Sequence, residues 1–367
     1  MLKVINVVGA RPNFMKIAPL MDQMKKHREI TPILLHTGQH YDDMMSDVFF
    51  EELRIPKPDL YLGVGSASHA EQMARIMMEF ERVVLKERPD LIVVVGDVNS
   101  TMACSLVAVK LLIPVAHVEA GLRSFDRTMP EEINRLVTDS LSDYLFTTCE
   151  EANENLRREG IPEEKIFFVG NVMIDTLMKN IDRIKSRGVL EKLGLEAQGF
   201  TLLTLHRPSN VDVKETLQGI LEALAELQTK IKIVFPIHPR TTKQLKKFKL
   251  WEMAEGMKNL MLIDPLGYLD CLALASQSRF VMTDSGGLQE ETTVLGVPCL
   301  TLRENTERPV TVREGTNVVV GMDKARIIQE GGNILIGGGK RGQSPKLWDG
   351  HAAARIVDIL TSHLPGG

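Results

Sequence analysis

Short apolar runs rich in β-branched residues alternate, twice over, with longer amphipathic stretches, and this alternation most restricts how the chain can fold. In the first half the runs are Lys3–Val8, Pro32–His36, Leu91–Val95, Val115–Val118, Tyr144–Thr147 and Ile166–Val169, with helical stretches such as Ala70–Lys86 and Thr101–Leu111 between them. The second half repeats the scheme with Phe200–Leu205, Ile231–Ile237, Leu260–Ile263, Arg279–Thr283, Pro298–Leu302 and Asn317–Val320. Runs that are apolar throughout, not at every second residue, suit parallel strands covered on both faces, and the intervening helices supply the crossovers. Two such sets in 367 residues predict an α/β protein of two Rossmann-like, doubly wound domains. The boundary is placed at Gly170-Asn171, giving a first domain of residues 1–170 and a second of residues 171–347. Residues 348–367 open with Trp348-Asp349-Gly350 and hold a last helix over Ala352–Leu360. The glycine-rich stretch Gly331–Gly342 reads as a surface loop. Its Gly339-Lys340-Arg341 does not meet the G-K-[ST] requirement of a P-loop.

A formal net charge of -4 offers no electrostatic grip on nucleic acid or an anionic membrane, so an anionic ligand must be held by local cations. The four cysteines, Cys104, Cys149, Cys271 and Cys299, have no C-x-x-C spacing and sit in or beside apolar runs. They read as buried small hydrophobes of a reducing compartment, not as metal ligands or disulfides. The N-terminal MLKVINVVGARPN reads as a first strand and not as a signal peptide, and no later apolar run is long enough to span a bilayer. A cytoplasmic location is expected.

Ligands of open parallel sheets bind outside the carboxyl ends of the strands. The residues following the runs are polar throughout: Gly9-Ala10-Arg11-Pro12-Asn13 with Lys16, His36-Thr37-Gly38-Gln39-His40, Gly96-Asp97, Glu119-Ala120-Gly121, His206-Arg207, His238-Pro239-Arg240 and Asp284-Ser285-Gly286-Gly287. If both domains turn these edges toward one cleft, the groups converge. Ser285-Gly286-Gly287 opens a helix through Leu288–Leu295. Its free N–H groups suit a phosphate, and the same residues also read as a plain serine N-cap with a glycine turn. Arg11 and Lys16 add the cations that a diphosphate requires. Glu291 reads either as an acceptor for a ribose diol or as a solvated helix glutamate.

Asp97, Glu119, Glu131 and His206 are the acid/base candidates. Asp97 also reads as a turn residue after Gly96. Glu131 also reads as first-turn charge complementarity in Pro130-Glu131-Glu132. Gly38 argues against a helical metal pair of His36 and His40, so no metal site is assigned. Neither G-x-S-x-G nor G-x-G-x-x-G occurs in this context.

Taken in order, these residues resemble the non-hydrolysing UDP-N-acetylglucosamine 2-epimerases along nearly the whole chain. The shared stretches are Gly9-Ala10-Arg11-Pro12 with Lys16, Thr37-Gly38-Gln39-His40, Gly96-Asp97 and His117-Val118-Glu119-Ala120-Gly121-Leu122-Arg123. They continue with Pro130-Glu131-Glu132, Asn134-Arg135, Gly170-Asn171, His206-Arg207, Thr283–Glu291, Thr306-Glu307-Arg308-Pro309 and Asp349-Gly350. The resemblance implies a glycosyltransferase-B-like fold with two domains facing a central cleft and the last helix returning to the first domain. It implies a homodimer that interconverts UDP-GlcNAc and UDP-ManNAc by elimination of UDP to a 2-acetamidoglucal and re-addition, without cofactor or catalytic metal. Carried over by position, Asp97, Glu119, Glu131 and His206 are catalytic. Arg11, Lys16, Ser285, Gly286, Gly287 and Glu291 hold UDP, and Arg308 lies in a further shared motif. Gln39, His40, Arg135 and His238 are second-site or sugar contacts.

The resemblance weakens at two places. Tyr41-Asp42 follow Gln39-His40, and Gly65–His69 lacks the glutamine and arginine that accompany an allosteric UDP-GlcNAc in bacterial members. Cys271 stands where some members place an aromatic residue near uracil, which leaves base contacts to backbone groups and Tyr268. The stretches Ser46–Phe50 and Arg123-Ser124-Phe125 are also similar to relatives acting on UDP-2,3-diacetamido uronic acid sugars, the alternative substrate class. A glycosyltransferase or a non-catalytic UDP-sugar-binding protein on the same frame are the remaining alternatives.

Overall fold

The computed structural model describes residues 1–39 and 57–363, apart from the Arg11 side chain. His40, Tyr41-Asp42 and Ser46–Phe50 lie outside the described residues. The chain divides into two compact units, one of residues 1–179 with 346–367, the other of residues 180–345. Both divisions fall where no strand passes.

The first unit is built on a parallel sheet of seven strands: β1 (Leu2–Val8), β2 (Ile30–His36), β3 (Leu60–Tyr61), β4 (Leu91–Val95), β5 (Val115–Ala120), β6 (Tyr144–Thr147) and β7 (Ile166–Phe168). Their order is β3-β2-β1-β4-β5-β6-β7. The direction of winding therefore reverses between β1 and β4, which pair in register from Val4↔Leu91 to Val7↔Val94. Such a switch point opens a crevice at the carboxyl ends. On one face Ile5, Val7, Ile92 and Val94 pack against Ile76, Phe80 and Val84 of the helix His69–Glu87 and Val107 of the helix Asn99–Lys110. The helix Arg11–Met24, with Phe14, Ile17, Leu20, Met21 and Met24 buried, packs against the last helix, Ala352–His363. That last helix is anchored within this unit. Its first N–H groups, on Ala352 and Ala353, donate to the Asp175 carboxylate at 3.1 and 2.7 Å. Just before it, Trp348 Nε1 donates to the Thr148 carbonyl at 2.8 Å.

The second unit repeats the topology with β8 (Phe200–Thr204), β9 (Lys232–Pro236), β10 (Leu260–Ile263), β11 (Val281–Thr283), β12 (Cys299–Thr301) and β13 (Asn317–Val319). The order β10-β9-β8-β11-β12-β13 puts the switch point between β8 and β11. Leu203, Ile233, Phe235, Met282 and Leu300 pack with Leu217, Ile220, Leu221 and Leu224 of the helix Lys214–Leu227. The twelve runs expected from sequence are all strands: β1, β2 and β5 extend beyond the expected run, β4, β6 and β10 match it, and the other six are trimmed at their ends.

Three local expectations are corrected. The two-residue strand β3 at the sheet edge was not expected, because it is too short to show a pattern. Gly331–Leu335 does not belong to a surface loop but closes the helix Lys324–Leu335. Gly331 serves close helix packing there, since a Cβ would come 2.9 Å from Leu227 Cδ2. Cys271 is only half-buried, whereas Cys104, Cys149 and Cys299 are buried as expected. Among the described residues no helix is long and apolar enough to cross a membrane.

Candidate functional site

In the first unit, the candidate residues gather at the carboxyl ends of β1, β4 and β5. Asn13, in the first turn of Arg11–Met24, ties two of these ends together. Its Oδ1 accepts from the Gly9 and Ala10 N–H groups at 3.0 and 2.9 Å, and its Nδ2 donates to the Val95 carbonyl at 2.9 Å. One turn on, Lys16 Nζ reaches Glu119 Oε1 at 2.7 Å, with both side chains buried. Gly96 makes this approach possible, because a Cβ there would stand 2.8 Å from Lys16 Nζ and its φ is +67°. Glu119 itself has φ +75°, which L side chains adopt at a cost and mostly at functional turns. The β5–β6 register shifts between Val118 and Ala120, so the strand bulges at Glu119.

Asp97 Oδ2 accepts from Arg135 Nη1 at 2.5 Å, and the Asp97 carbonyl accepts from Asn134 Nδ2 at 2.8 Å. Arg135 is buried and also binds Glu132 Oε2 at 2.6 Å. Glu132 in turn takes the Ser124 and Phe125 N–H groups at 2.9 Å each. Burial alone would raise the Glu132 carboxyl, but these donors and Arg135 hold it below its usual range. Arg135 thus braces Asp97 from the helix Pro130–Leu141. Glu131, in the first turn of that helix, is half-buried and has no hydrogen-bond or ion-pair partner among the described residues. Gln39 Oε1 accepts from Ser100 N and Ser100 Oγ at 3.0 and 2.7 Å, which satisfies a first-turn donor of the helix Asn99–Lys110. His36, stacked between Phe14 and Tyr61, accepts from the Gly38 N–H, and burial lowers its pKa to about 4.

In the second unit the switch point is bridged by His206 and Asp284, whose Nδ1 and Oδ1 are 2.9 Å apart. The rings of His206 and His238 lie 5.8 Å apart, and His238 Nδ1 accepts from the Arg240 N–H to cap the helix Pro239–Lys247. Ser285 is the N-cap of the helix Gly286–Leu295, but its side chain makes no capping bond. A Cβ at Gly286 would meet Arg308 Nη1 at 2.6 Å and Glu307 Oε1 at 2.9 Å, so the glycine lets these side chains approach the helix N-terminus. Arg308 pairs with Glu290 at 2.8 Å and with Glu307 at 2.5 Å, and Glu307 also binds Arg303 Nη2 at 2.7 Å. Despite burial, the arginines Arg308, Arg303 and Arg207 hold Glu307 well below the usual carboxylate range. Buried Arg303 Nη1 has no hydrogen-bond partner among the described residues. A helix N-terminus beside buried guanidinium groups has the chemistry to receive an anion.

Deeper in the same helix, Glu291 Oε1 accepts from Tyr268 OH at 2.8 Å. Burial, with Glu290 nearby, raises the Glu291 carboxyl to about 8 although the Tyr268 bond opposes it. Asp284, Arg303, Glu307 and Glu290 were not singled out from sequence. Asp284 ends an apolar run as the other candidates do, and Glu307 lies in a shared motif with its partners Arg303 and Arg308 close by in the chain, but the Asp284–His206 and Glu290–Arg308 pairs join residues too distant in sequence to be read from spacing.

The chain matches the family described as UDP-N-acetylglucosamine 2-epimerase over residues 22–361. It is 45% identical over 367 residues to a UDP-N-acetylglucosamine 2-epimerase of Methanocaldococcus jannaschii, covering 98% of this chain and 99% of that one. The crystal structure of the M. jannaschii UDP-GlcNAc 2-epimerase in complex with UDP-GlcNAc and UDP superposes with a TM-score of 0.91 at 45% identity, over 98% of this chain and 100% of that one. A UDP-2,3-diacetamido-2,3-dideoxy-D-glucuronate 2-epimerase of Pseudomonas aeruginosa is 41% identical over 364 residues, 98% of this chain and 99% of that one. The chain belongs to the UDP-N-acetylglucosamine 2-epimerase family.

Proposed function

We propose that the protein interconverts UDP-GlcNAc and UDP-ManNAc by elimination and re-addition of UDP. The observation that carries this reading is the buried Lys16–Glu119 pair on a strained strand end, beside the braced carboxylate of Asp97. The C2 proton of the sugar is weakly acidic because no carbonyl adjoins C2. Departure of UDP must therefore build cationic character at C1. The C1–O bond breaks with its electron pair on UDP, the C2–H bond breaks with its proton on a base, and a C1=C2 bond forms. Carboxylates near the sugar stabilise the cation and take the proton, while a helix N-terminus and arginines stabilise the departing diphosphate. Return of a proton to the opposite face of C2 and re-addition of UDP give the epimer.

In this reading Asp97, Glu119, Glu131 and His206 supply the acid/base groups. Arg11, Lys16, Ser285, Gly286, Gly287 and Arg308 take the diphosphate, and Glu291 takes the ribose. Arg135 acts through Asp97, and His238 through the neighbouring His206. Gln39 is spent on capping a helix, which favours a structural role over a second ligand site. The resemblance supports a cytoplasmic homodimer; sedimentation equilibrium giving a monomer at micromolar concentration would contradict the dimer.

The Pseudomonas aeruginosa relative favours a second reading, in which the sugar is a diacetamido uronate. Separate incubation with UDP-GlcNAc and with the UDP-diacetamido uronate, followed by HPLC, decides between them. Conversion of UDP-GlcNAc alone is the expected result; conversion of the uronate alone transfers the assignment; conversion of neither overturns both.

A further inference from the structure

His117 and Asp139 have no role in the chemistry above, yet they are among the most deeply buried polar residues of the first unit. His117 Nδ1 faces Asp139 Oδ1 at 2.6 Å, and His117 Nε2 faces the Gly96 carbonyl at 2.8 Å. Asp139 Oδ2 accepts from the Gly121 N–H at 3.0 Å and pairs with Arg123 Nη2 at 2.7 Å. Arg123 is itself held by the Glu159 carboxylate, from Nε at 2.8 Å and Nη2 at 2.6 Å. Burial pushes the Asp139 carboxyl up, but His117 and Arg123 together hold it below its ordinary value. A buried ion network of this kind is no more stabilising than apolar packing of equal volume, so stability alone is a weak reason for it.

The two ends of this network are telling. His117 and Gly121 flank Glu119, the residue with positive φ at which β5 bulges. One carboxylate, that of Asp139, grips both flanks of the bulge. The other ring nitrogen of His117 grips the Gly96 carbonyl, the peptide unit that leads into Asp97. Gly96 also has positive φ, and its N–H donates to the Val118 carbonyl at 3.0 Å. The glycine turn after β4 and the strained bulge at Glu119 on β5 are thereby locked to each other.

We infer that the His117–Asp139 pair is a positioning device that sets Glu119 and Asp97 in mutual register. The inference rests on the proposal that these two carboxylates act on the sugar. His117 and Asp139 act only through them, and loss of either lets the carboxylates drift without removing a substrate contact. A displacement of about 1 Å at a reacting group costs on the order of 100-fold in rate.

The test uses the full chain with His117→Gln, Asp139→Asn and Asp97→Asn, singly and as His117→Gln/Asp97→Asn, assayed for epimerisation of UDP-GlcNAc. His117→Gln and Asp139→Asn are each expected to lower kcat about 100-fold while KM stays within about twofold. The double variant is expected to lose more than Asp97→Asn alone but clearly less than the product of the two single losses, because His117 acts in part through the group already removed. A wild-type kcat in both Asp139→Asn and His117→Gln, or fully multiplicative losses in the double variant, would overturn the inference. If His117→Gln does not fold, as judged by near-ultraviolet circular dichroism, Asp139→Asn combined with Asp97→Asn carries the same test. Full activity of Asp97→Asn would instead overturn the acid/base assignment itself.

Discussion

His206 Nδ1 lies 2.9 Å from Asp284 Oδ1, a side-chain contact that joins the carboxyl ends of the two strands at the switch point of the second unit. The other oxygen of Asp284 accepts from the His206 and Arg207 N–H groups at 2.8 Å each and from Asn210 Nδ2 at 3.1 Å. Burial would raise this carboxyl, but His206 and the backbone donors hold it below the usual value. An anionic Asp284 2.9 Å from the ring is best matched by a proton on Nδ1, although Oδ1 makes no aligned hydrogen bond there. That leaves Nε2 as the basic nitrogen of a half-exposed side chain.

Asp284→Asn is therefore expected to reduce kcat through the histidine. An asparagine can present its amide N–H to Nδ1 and reverse the tautomer. The loss expected is of the general acid/base scale, about 10²–10⁴-fold, with UDP affinity by calorimetry little changed. A proportional loss of UDP affinity would make His206 and Asp284 binding residues.

Lys16→Met leaves Glu119 as a buried carboxylate without its 2.7 Å partner. Breaking a buried pair from one side costs about 3–5 kcal/mol. Urea denaturation of Lys16→Met should show a loss on this scale, and Lys16→Met/Glu119→Gln should recover part of it. Equal stability of wild type and Lys16→Met would mean that the pair is solvated.

Glu291 gives the protein a pH dependence of known sign. Its folded-state pKa of about 8 lies above the ordinary carboxyl value, so the folded chain binds the extra proton. The penalty for ionising it is absent below the unfolded pKa near 4.5, grows through the window up to about 8, and is complete above it. Glu291→Gln keeps an acceptor for Tyr268 and removes the charge. It should melt higher than wild type at pH 8.5 and lose that advantage by pH 4.5. A constant difference in melting temperature across that range would contradict the buried-acid description.

Gly286→Ala introduces a Cβ at 2.6 Å from Arg308 Nη1, so the ion-paired ends of Arg308 and Glu307 must shift. Overpacking on this scale costs about 1–3 kcal/mol. UDP affinity measured by calorimetry should fall together with stability, because the displaced residues line the helix N-terminus. Unchanged UDP affinity would remove Gly286 and Arg308 from the diphosphate site.

Much of the fold was legible because its signals are local. Leu91–Val95 is apolar at every position and could only be a strand covered on both faces. Leu60–Tyr61 was not legible, since two residues at a sheet edge carry no period. The candidate residues were legible as polar groups ending apolar runs, which identifies Asp97, Glu119 and His206 without any contact being known. What holds them was not. Asp139 sits inside a helix, where an acid reads as solvent-facing, and its partners His117 and Gly121 are 22 and 18 residues away. The positive φ of Glu119 was hidden for a similar reason, because a bulge depends on the neighbouring strand. Glu291 read as a surface glutamate or a ribose acceptor, and only the packing around it reveals a carboxyl raised to about 8.

The most direct measurement is NMR of the product formed from UDP-GlcNAc in D2O. Elimination and re-addition require the C2 proton to leave the sugar on one face and a solvent-derived one to return on the other. The expected result is UDP-ManNAc carrying deuterium at C2, formed by the wild-type chain and almost lost in Asp97→Asn and Glu119→Gln. UDP-ManNAc retaining protium at C2 would contradict the proposed chemistry, whatever the rate at which it forms.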